Sequence, residues 1–153
     1  MSVLKSSLLF AVLLLFTLDI SAQSTEDTIA IKKTALDYIE GYFYKDAKRM
    51  EKALHPELVK RSIQKTEDGT EFIINLGASY MVMRTANNTN RHAANPEGTI
   101  ESIVEIYDIV GNAATVKVST NQYNFIDYLH IGKFNNEWKI INVFWANLPV
   151  AEK

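Results

Sequence analysis

The chain has no cysteine, only three prolines and six glycines in 153 residues, and no apolar run of membrane-spanning length. Without thiols there can be no disulfides, cysteine nucleophiles or thiolate metal sites, so a hydrophobic core must hold the fold. The scarcity of glycine and proline removes low-complexity linkers and any glycine-rich phosphate loop. Charge of one sign is not concentrated either. Sixteen basic residues stand against 18 acidic ones, for a net charge of −2, and the bases cluster only around Lys45–Arg49. That pattern gives no footprint for nucleic acid. The three histidines, His55, His92 and His130, fall on unlike segments with no HxH or HExxH spacing. No metal site and no cofactor are expected.

What is present begins with an address. Met1 and Lys5 precede the apolar run Leu8–Phe16, and Ala22 follows in DISAQ. A basic start, a short apolar stretch and a small residue form a signal-peptide pattern. The run is too short to span a bilayer, which needs about 20 apolar residues. The expectation is therefore a signal peptide over residues 1–22 and a single domain over 23–153, exported to the periplasm or secreted, with no membrane insertion after cleavage.

Apolar residues Ile31, Ala35, Leu36, Ile39, Tyr42 and Phe43 recur at helical spacing and predict a helix over Thr28–Tyr44. Asp46 is placed to cap a second helix over Asp46–Leu54, which Pro56 prevents from continuing. LVKRSIQKTEDGTEFIIN reads as a hairpin turning at Asp68 and Gly69, its first segment too polar to be central. Leu76, Tyr80, Met83 and Asn87 predict a third helix. Strands follow over Ile100–Val110, Ala113–Thr120, Asn124–Phe134 and Glu137–Trp145, with tight turns at Gly111-Asn112 and Asn135-Asn136. Helices first and a meander last indicate an α+β domain, with about three N-terminal helices packed on a curved antiparallel sheet.

Strand side chains alternate between faces, so regular turns sort them. On that basis Glu105, Tyr107, Val116, Val118, Phe125, Asp127, Leu129, Ile131, Ile140, Asn142 and Phe144 share the face covered by the helices. Tyr128, His130, Ile141, Val143 and Trp145 share the other, which is too apolar for free solvent and is expected to pair with a second copy. The polar groups on the helix-covered face imply an internal network or a cavity for a ligand. Finding Asp127 and Tyr107 on opposite faces would overturn this sorting.

The order of helix, short helix, LHP, hairpin, helix and meander resembles the nuclear transport factor 2-like superfamily, a cone-shaped cystatin-like fold shared with ketosteroid isomerases and SnoaL-like cyclases. YIEGYFYKDAKRMEKALHPELVKRSI, DYLHI and GKFNNEWKIINVFW resemble its putative lumazine-binding branch, over roughly Thr28 to Leu148. The resemblance implies a cone opening between the helices and the inner sheet face, with dimerisation through the sheet a common arrangement. It covers enzymes and binding domains alike, and no motif matches the isomerase constellation residue by residue.

Asp127 then has two readings. One is a general base desolvated by the core, with Tyr107 assisting catalysis. The other is a structural carboxylate bonded to helix ends or to a first-helix tyrosine, Tyr38 or Tyr42. The expected ligand-binding set is Tyr42, His55, Met83, Glu105, Tyr107, Asp127, Asn142 and Phe144, facing a small molecule or peptide. His130, three residues from Asp127 on a strand, points away from it and belongs to the expected interface. His55 has the further reading of a loop histidine that orders its turn. Trp138, Trp145, Met81 and Met83 are either pocket walls for a flat ligand or plain core. Two functions remain open: a binding domain, or a cofactor-free isomerase, dehydratase or cyclase using Asp127 as acid or base.

Overall fold

The structure is a computed structural model describing residues 25–149. The expected signal peptide, residues 1–22, lies outside the described residues. Helix α1 (Thr25–Phe43) leads into α2 (Ala47–Ala53), strands β1 (Leu54–Lys65) and β2 (Glu71–Gly77), and α3 (Ala78–Ala86). Strands β3 (Ser102–Val110), β4 (Ala113–Thr120), β5 (Phe125–Phe134) and β6 (Glu137–Asn147) complete the chain order.

In α1, Ile31, Ala35, Ile39 and Phe43 are buried as their spacing predicts, Leu36 and Tyr42 are half-buried, and Tyr38 joins the buried stripe. Asp46 caps α2, its carboxylate accepting from the Lys48 and Arg49 amides at 3.1 and 3.0 Å. The two helices cross closely at Gly41, where a Cβ would come within 3.2 Å of Arg49 Cβ and 3.3 Å of the Met50 nitrogen. Arg49 fastens the crossing by donating to Asp37 and Glu40, each at 3.0 Å.

The hairpin and the meander are one sheet, not two. Its strand order is β2-β1-β6-β5-β4-β3, and the joint between β1 and β6 is parallel. The sheet is therefore mixed, not wholly antiparallel, and β1, expected to be peripheral because of its charges, is interior to it. Pairing of β1 with β6 is irregular between Leu54 and Val59. Pro56, with no amide to donate, lies in that interval. The three helices cover one face of this curved, unclosed sheet.

Both tight turns form where expected. Val110 pairs Ala113 and Phe134 pairs Glu137. Gly111, Asn135 and Asn136 take the positive φ values (56°, 49° and 66°) that such hairpin turns demand.

Beyond the turns, two bulges overturn part of the face assignment. In β3 the register slips between Ile106 and Asp108, leaving Tyr107 as the extra residue. In β6 it slips opposite His130 and Ile131, leaving Ile141 extra. A bulge inserts one residue, so side chains beyond it change face. Ile106 now pairs Val116, and Glu105 pairs Lys117. Asp127 pairs Trp145, and Leu129 pairs Val143. Tyr107, Glu105, Asn142 and Phe144 consequently lie on the outer face, opposite to Asp127. Val143 and Trp145, expected outside, are inside. No bulge interrupts the pairing of β4 with β5, where Val116 faces Leu129 and Val118 faces Asp127, and Val116, Val118, Asp127, Leu129 and Ile131 point inward as expected.

Candidate functional site

Strand β1 alternates Leu58, Lys60 and Ser62 inward, all buried. This phase carries the Lys60 ammonium under α1, where Tyr38 descends from the buried helical stripe and Asp127 rises from β5. The Lys60 ammonium donates to Asp127 Oδ1 at 2.8 Å and to the Tyr38 hydroxyl at 2.5 Å, and that hydroxyl donates to Asp127 Oδ2 at 2.9 Å. Asp127 is 0% exposed, so the triangle is closed to solvent on the carboxylate side. Burial first, then the adjacent Asp127 charge, hold the Tyr38 phenol well above its ordinary 10.0. Tyr38 therefore stays a neutral donor. A buried charge is tolerated only when paired and hydrogen-bonded, and here each carboxylate oxygen has its own donor.

Aromatic rings continue upward from this triangle. The Lys60 nitrogen lies 5.3, 5.5 and 5.7 Å from the ring centroids of Tyr38, Phe125 and Trp145. Phe125 stacks on Tyr123 at 5.2 Å, and Tyr123 meets Tyr42 at 5.9 Å. Together they wall a cavity of about 530 Å³ between the helices and the sheet, closed elsewhere by apolar residues including Ile74, Leu76 and Met81. Tyr80, Arg84, His92, Asn124 and Asn147 line it as well and are exposed, which makes them its rim. The Trp145 indole N–H is buried and finds no acceptor among the described residues. A second hollow, about 380 Å³, lies around His130, Gly132 and Ile141 and is walled by the sheet strands and their turns alone.

Of the expected ligand-binding residues, Tyr42 lines the cavity. Asp127 lies behind Lys60 and Tyr38, at the back of the site. Met83 points off the far side of α3 with 47% exposure, while its neighbours Tyr80, Met81 and Arg84 take the cavity side. His55 packs on Phe134 at 4.5 Å and accepts from the Glu57 amide at 3.2 Å, ordering its own turn. Glu105 binds Lys117 on the outer face at 2.8 Å. Tyr107, 56% exposed, lies near Tyr128 there, so it cannot assist Asp127. Asn142 accepts from Arg61 at 2.7 Å beside His130, and Phe144 is 39% exposed, both also outside. Of the expected interface, Tyr128, His130 and Ile141 are on the outer face. Val143 is core and Trp145 a cavity wall. Trp138 is core too, its indole donating to Asp27 at 2.9 Å.

Sequence reading missed Lys60 and Arg84. The signal for Lys60 was present in the alternation of Leu58, Lys60 and Ser62, which puts a lysine in phase with a leucine. Among the described residues no three acidic or histidine side chains converge as a metal site would need.

The family model described as Putative lumazine-binding matches residues 26–146. Among solved structures, an NTF2-like protein of unknown function from Shewanella baltica is 18% identical, covers 85% of this chain and 100% of its own, and superposes with a TM-score of 0.67. A domain of unknown function with a cystatin-like fold from Nostoc punctiforme is 10% identical, with coverages of 84% and 82% and a TM-score of 0.59. A ketosteroid isomerase-like protein from Erwinia carotovora is 10% identical, with coverages of 83% and 100% and a TM-score of 0.52. No curated protein matches the chain. At these identities the likeness establishes the fold, a nuclear transport factor 2-like cone.

Proposed function

We propose that this chain, which belongs to the Putative lumazine-binding family, is an exported domain that holds a small, partly apolar molecule in its cone and does no chemistry on it. The observation that carries this reading is the engagement of Asp127. Both of its oxygens are bonded inside the protein, and Lys60 and Tyr38 stand between it and the cavity. A general base must come within hydrogen-bond reach of the proton it takes, and this one is sequestered. The cavity volume, about 530 Å³, is that of a small-molecule site and favours a compact ligand over a peptide. Export is supported by the pattern Lys5, Leu8–Phe16, Ala22.

A second reading, a cofactor-free isomerase, dehydratase or cyclase, draws on one feature. The Lys60–Tyr38–Asp127 triangle links the cavity wall to a carboxylate, so a proton could reach Asp127 only through those two side chains.

The outer face is proposed to pair with a second copy. One row across it reads Arg61, Phe144, Tyr128, Lys117, Glu105. A two-fold axis at Tyr128 lays Arg61 over Glu105 of the partner subunit, Phe144 over Lys117 of the partner subunit and Tyr128 over Tyr128 of the partner subunit, an arrangement complementary to itself.

Native mass spectrometry of the full chain, purified without added ligand, tests the cavity reading. The expected result is a retained low-mass species that Leu76→Trp, which projects an indole into the cavity, expels. Loss of the species with Leu76 intact, or its retention by Leu76→Trp, would reject it.

A further inference from the structure

The cavity is not electrically neutral. Its lining carries two cations, Lys60 at the floor and Arg84 at the rim, and no carboxylate. The charge of Lys60 is matched by Asp127. Arg84 meets only tyrosines: it leans on the Tyr80 ring at 5.9 Å, donates weakly to the Tyr80 hydroxyl at 3.5 Å and interacts with the Tyr42 hydroxyl, but no carboxylate is within ion-pair distance among the described residues. The contrast with Arg49 is informative, since Arg49 on α2 is spanned by Asp37 and Glu40. An arginine held over a tyrosine ring at the edge of a cavity presents a planar fork of donors suited to a carboxylate.

Below that fork the walls are rings. Tyr42, Tyr123, Phe125 and Trp145 follow one another at centroid separations of 5.9, 5.2 and 6.0 Å. Such a wall offers faces and edges to a flat conjugated guest. At the floor, the Lys60 ammonium spends two donors on Tyr38 and Asp127, leaving a third, and the Trp145 indole N–H has no acceptor among the described residues. Every charged or unpartnered group named around the cavity is a donor or a cation, so its complement is an acceptor-rich anion.

We infer that the site selects a planar aromatic acid, its ring system against the Phe125 and Trp145 wall and its carboxylate on Arg84. The inference rests on the cavity being a binding site and adds the class of ligand. Asp127 then has a consequence for selectivity: by matching Lys60 it leaves Arg84 as the cation available to the guest, so recognition of the acid is placed at the rim.

Calorimetric titration of the full chain with naphthoate and with its neutral counterpart naphthylmethanol, at neutral pH, tests this. Naphthoate is expected to bind about tenfold more tightly, the contribution of one charge-assisted arginine contact. Arg84→Gln should erase that preference and leave naphthylmethanol within about twofold, while Arg84→Lys should keep part of it. Arg84 is exposed, so its replacement is not expected to impair folding. Equal binding of the two probes by the wild-type chain, both lost in Leu76→Trp, would overturn the acid selectivity and leave the cavity reading intact. Naphthoate binding that survives Leu76→Trp would locate it elsewhere and overturn the inference. Failure of both probes to bind a chain that still retains its low-mass species in native mass spectrometry would overturn the inference and leave the cavity reading standing, whereas failure of both together with no retained species would overturn both.

Discussion

Lys60 and Asp127 are 67 positions apart in the chain and 2.8 Å apart in space, on strands that do not touch. Strand β6 runs between theirs, and the ion pair reaches across it beneath α1. Removing one partner of a buried pair leaves the other charge stranded, at a cost of about 3–5 kcal/mol. Asp127→Asn should therefore lower the unfolding free energy in urea by roughly 3 kcal/mol. The double replacement Lys60→Met with Asp127→Leu should recover most of that loss, since apolar groups of similar size can replace a buried pair. If the double variant is as unstable as the single one, the pair is not what the carboxylate contributes.

Tyr38 gives a pH signature. Its folded phenol is held above the ordinary 10.0, so below that value the group is protonated in both states and its contribution is complete. Above it the unfolded chain releases the proton and the folded chain retains it, so stability falls as pH rises, by up to about 1.4 kcal/mol per unit. Tyr38→Phe should cost about 1–2 kcal/mol at neutral pH. The gap between wild type and variant should narrow above pH 10. A gap that stays constant in alkaline denaturation curves would contradict the buried placement of the hydroxyl.

The bulge at Tyr107 predicts an unusual tolerance. Deleting Tyr107 joins inward Ile106 to outward Asp108 and restores plain alternation without moving another side chain to the wrong face. That deletion should fold, with a loss of about 1–2 kcal/mol. Deleting Lys117 from the unbulged β4 should not fold, because half of that strand would turn its apolar side outward. Thermal melts followed by circular dichroism distinguish the two. A failure of both deletions would mean that Tyr107 does more than interrupt the register.

For the outer face, Tyr128→Arg should convert a dimer into a monomer in analytical ultracentrifugation and change the monomer's own stability by less than about 1 kcal/mol, since this side chain is partly exposed. A wild-type chain that sediments as a monomer at high concentration would reject the second copy as the occupant of that face.

The existence of the helices, the Asp46 cap, both tight turns and the inward direction of Asp127 were legible in the residues, because periodicity and turn chemistry are local; in α3 the buried side is Met81 and Thr85, not the expected Tyr80 and Met83, and Leu76 belongs to β2. Tyr38 was legible as one of two candidate partners for Asp127. Faces beyond the bulges were not, since neither Tyr107 nor Ile141 differs in type from an ordinary strand residue. That single-residue ambiguity displaced Glu105, Tyr107, Asn142 and Phe144 to the wrong side and put Trp145 on the outer face, although Trp145 also had the reading of a pocket wall. Lys60 was missed for another reason. A charge among KRSIQK argues for an edge strand until the parallel joint with β6 is known, and that pairing is set by the whole chain.

The parallel joint has a consequence in time. Residues 137–147, the last strand in chain order, are inserted between β1 and β5, near the middle of the finished sheet. A chain emerging from the ribosome N-terminus first can build its helices and the β1–β2 hairpin early, but it cannot seat Lys60 against Asp127 or close the cone until this strand arrives. Completion of the domain thus waits until residues 137–147 have been made, and the helices and hairpin built before then stand without the strand that joins them to β5.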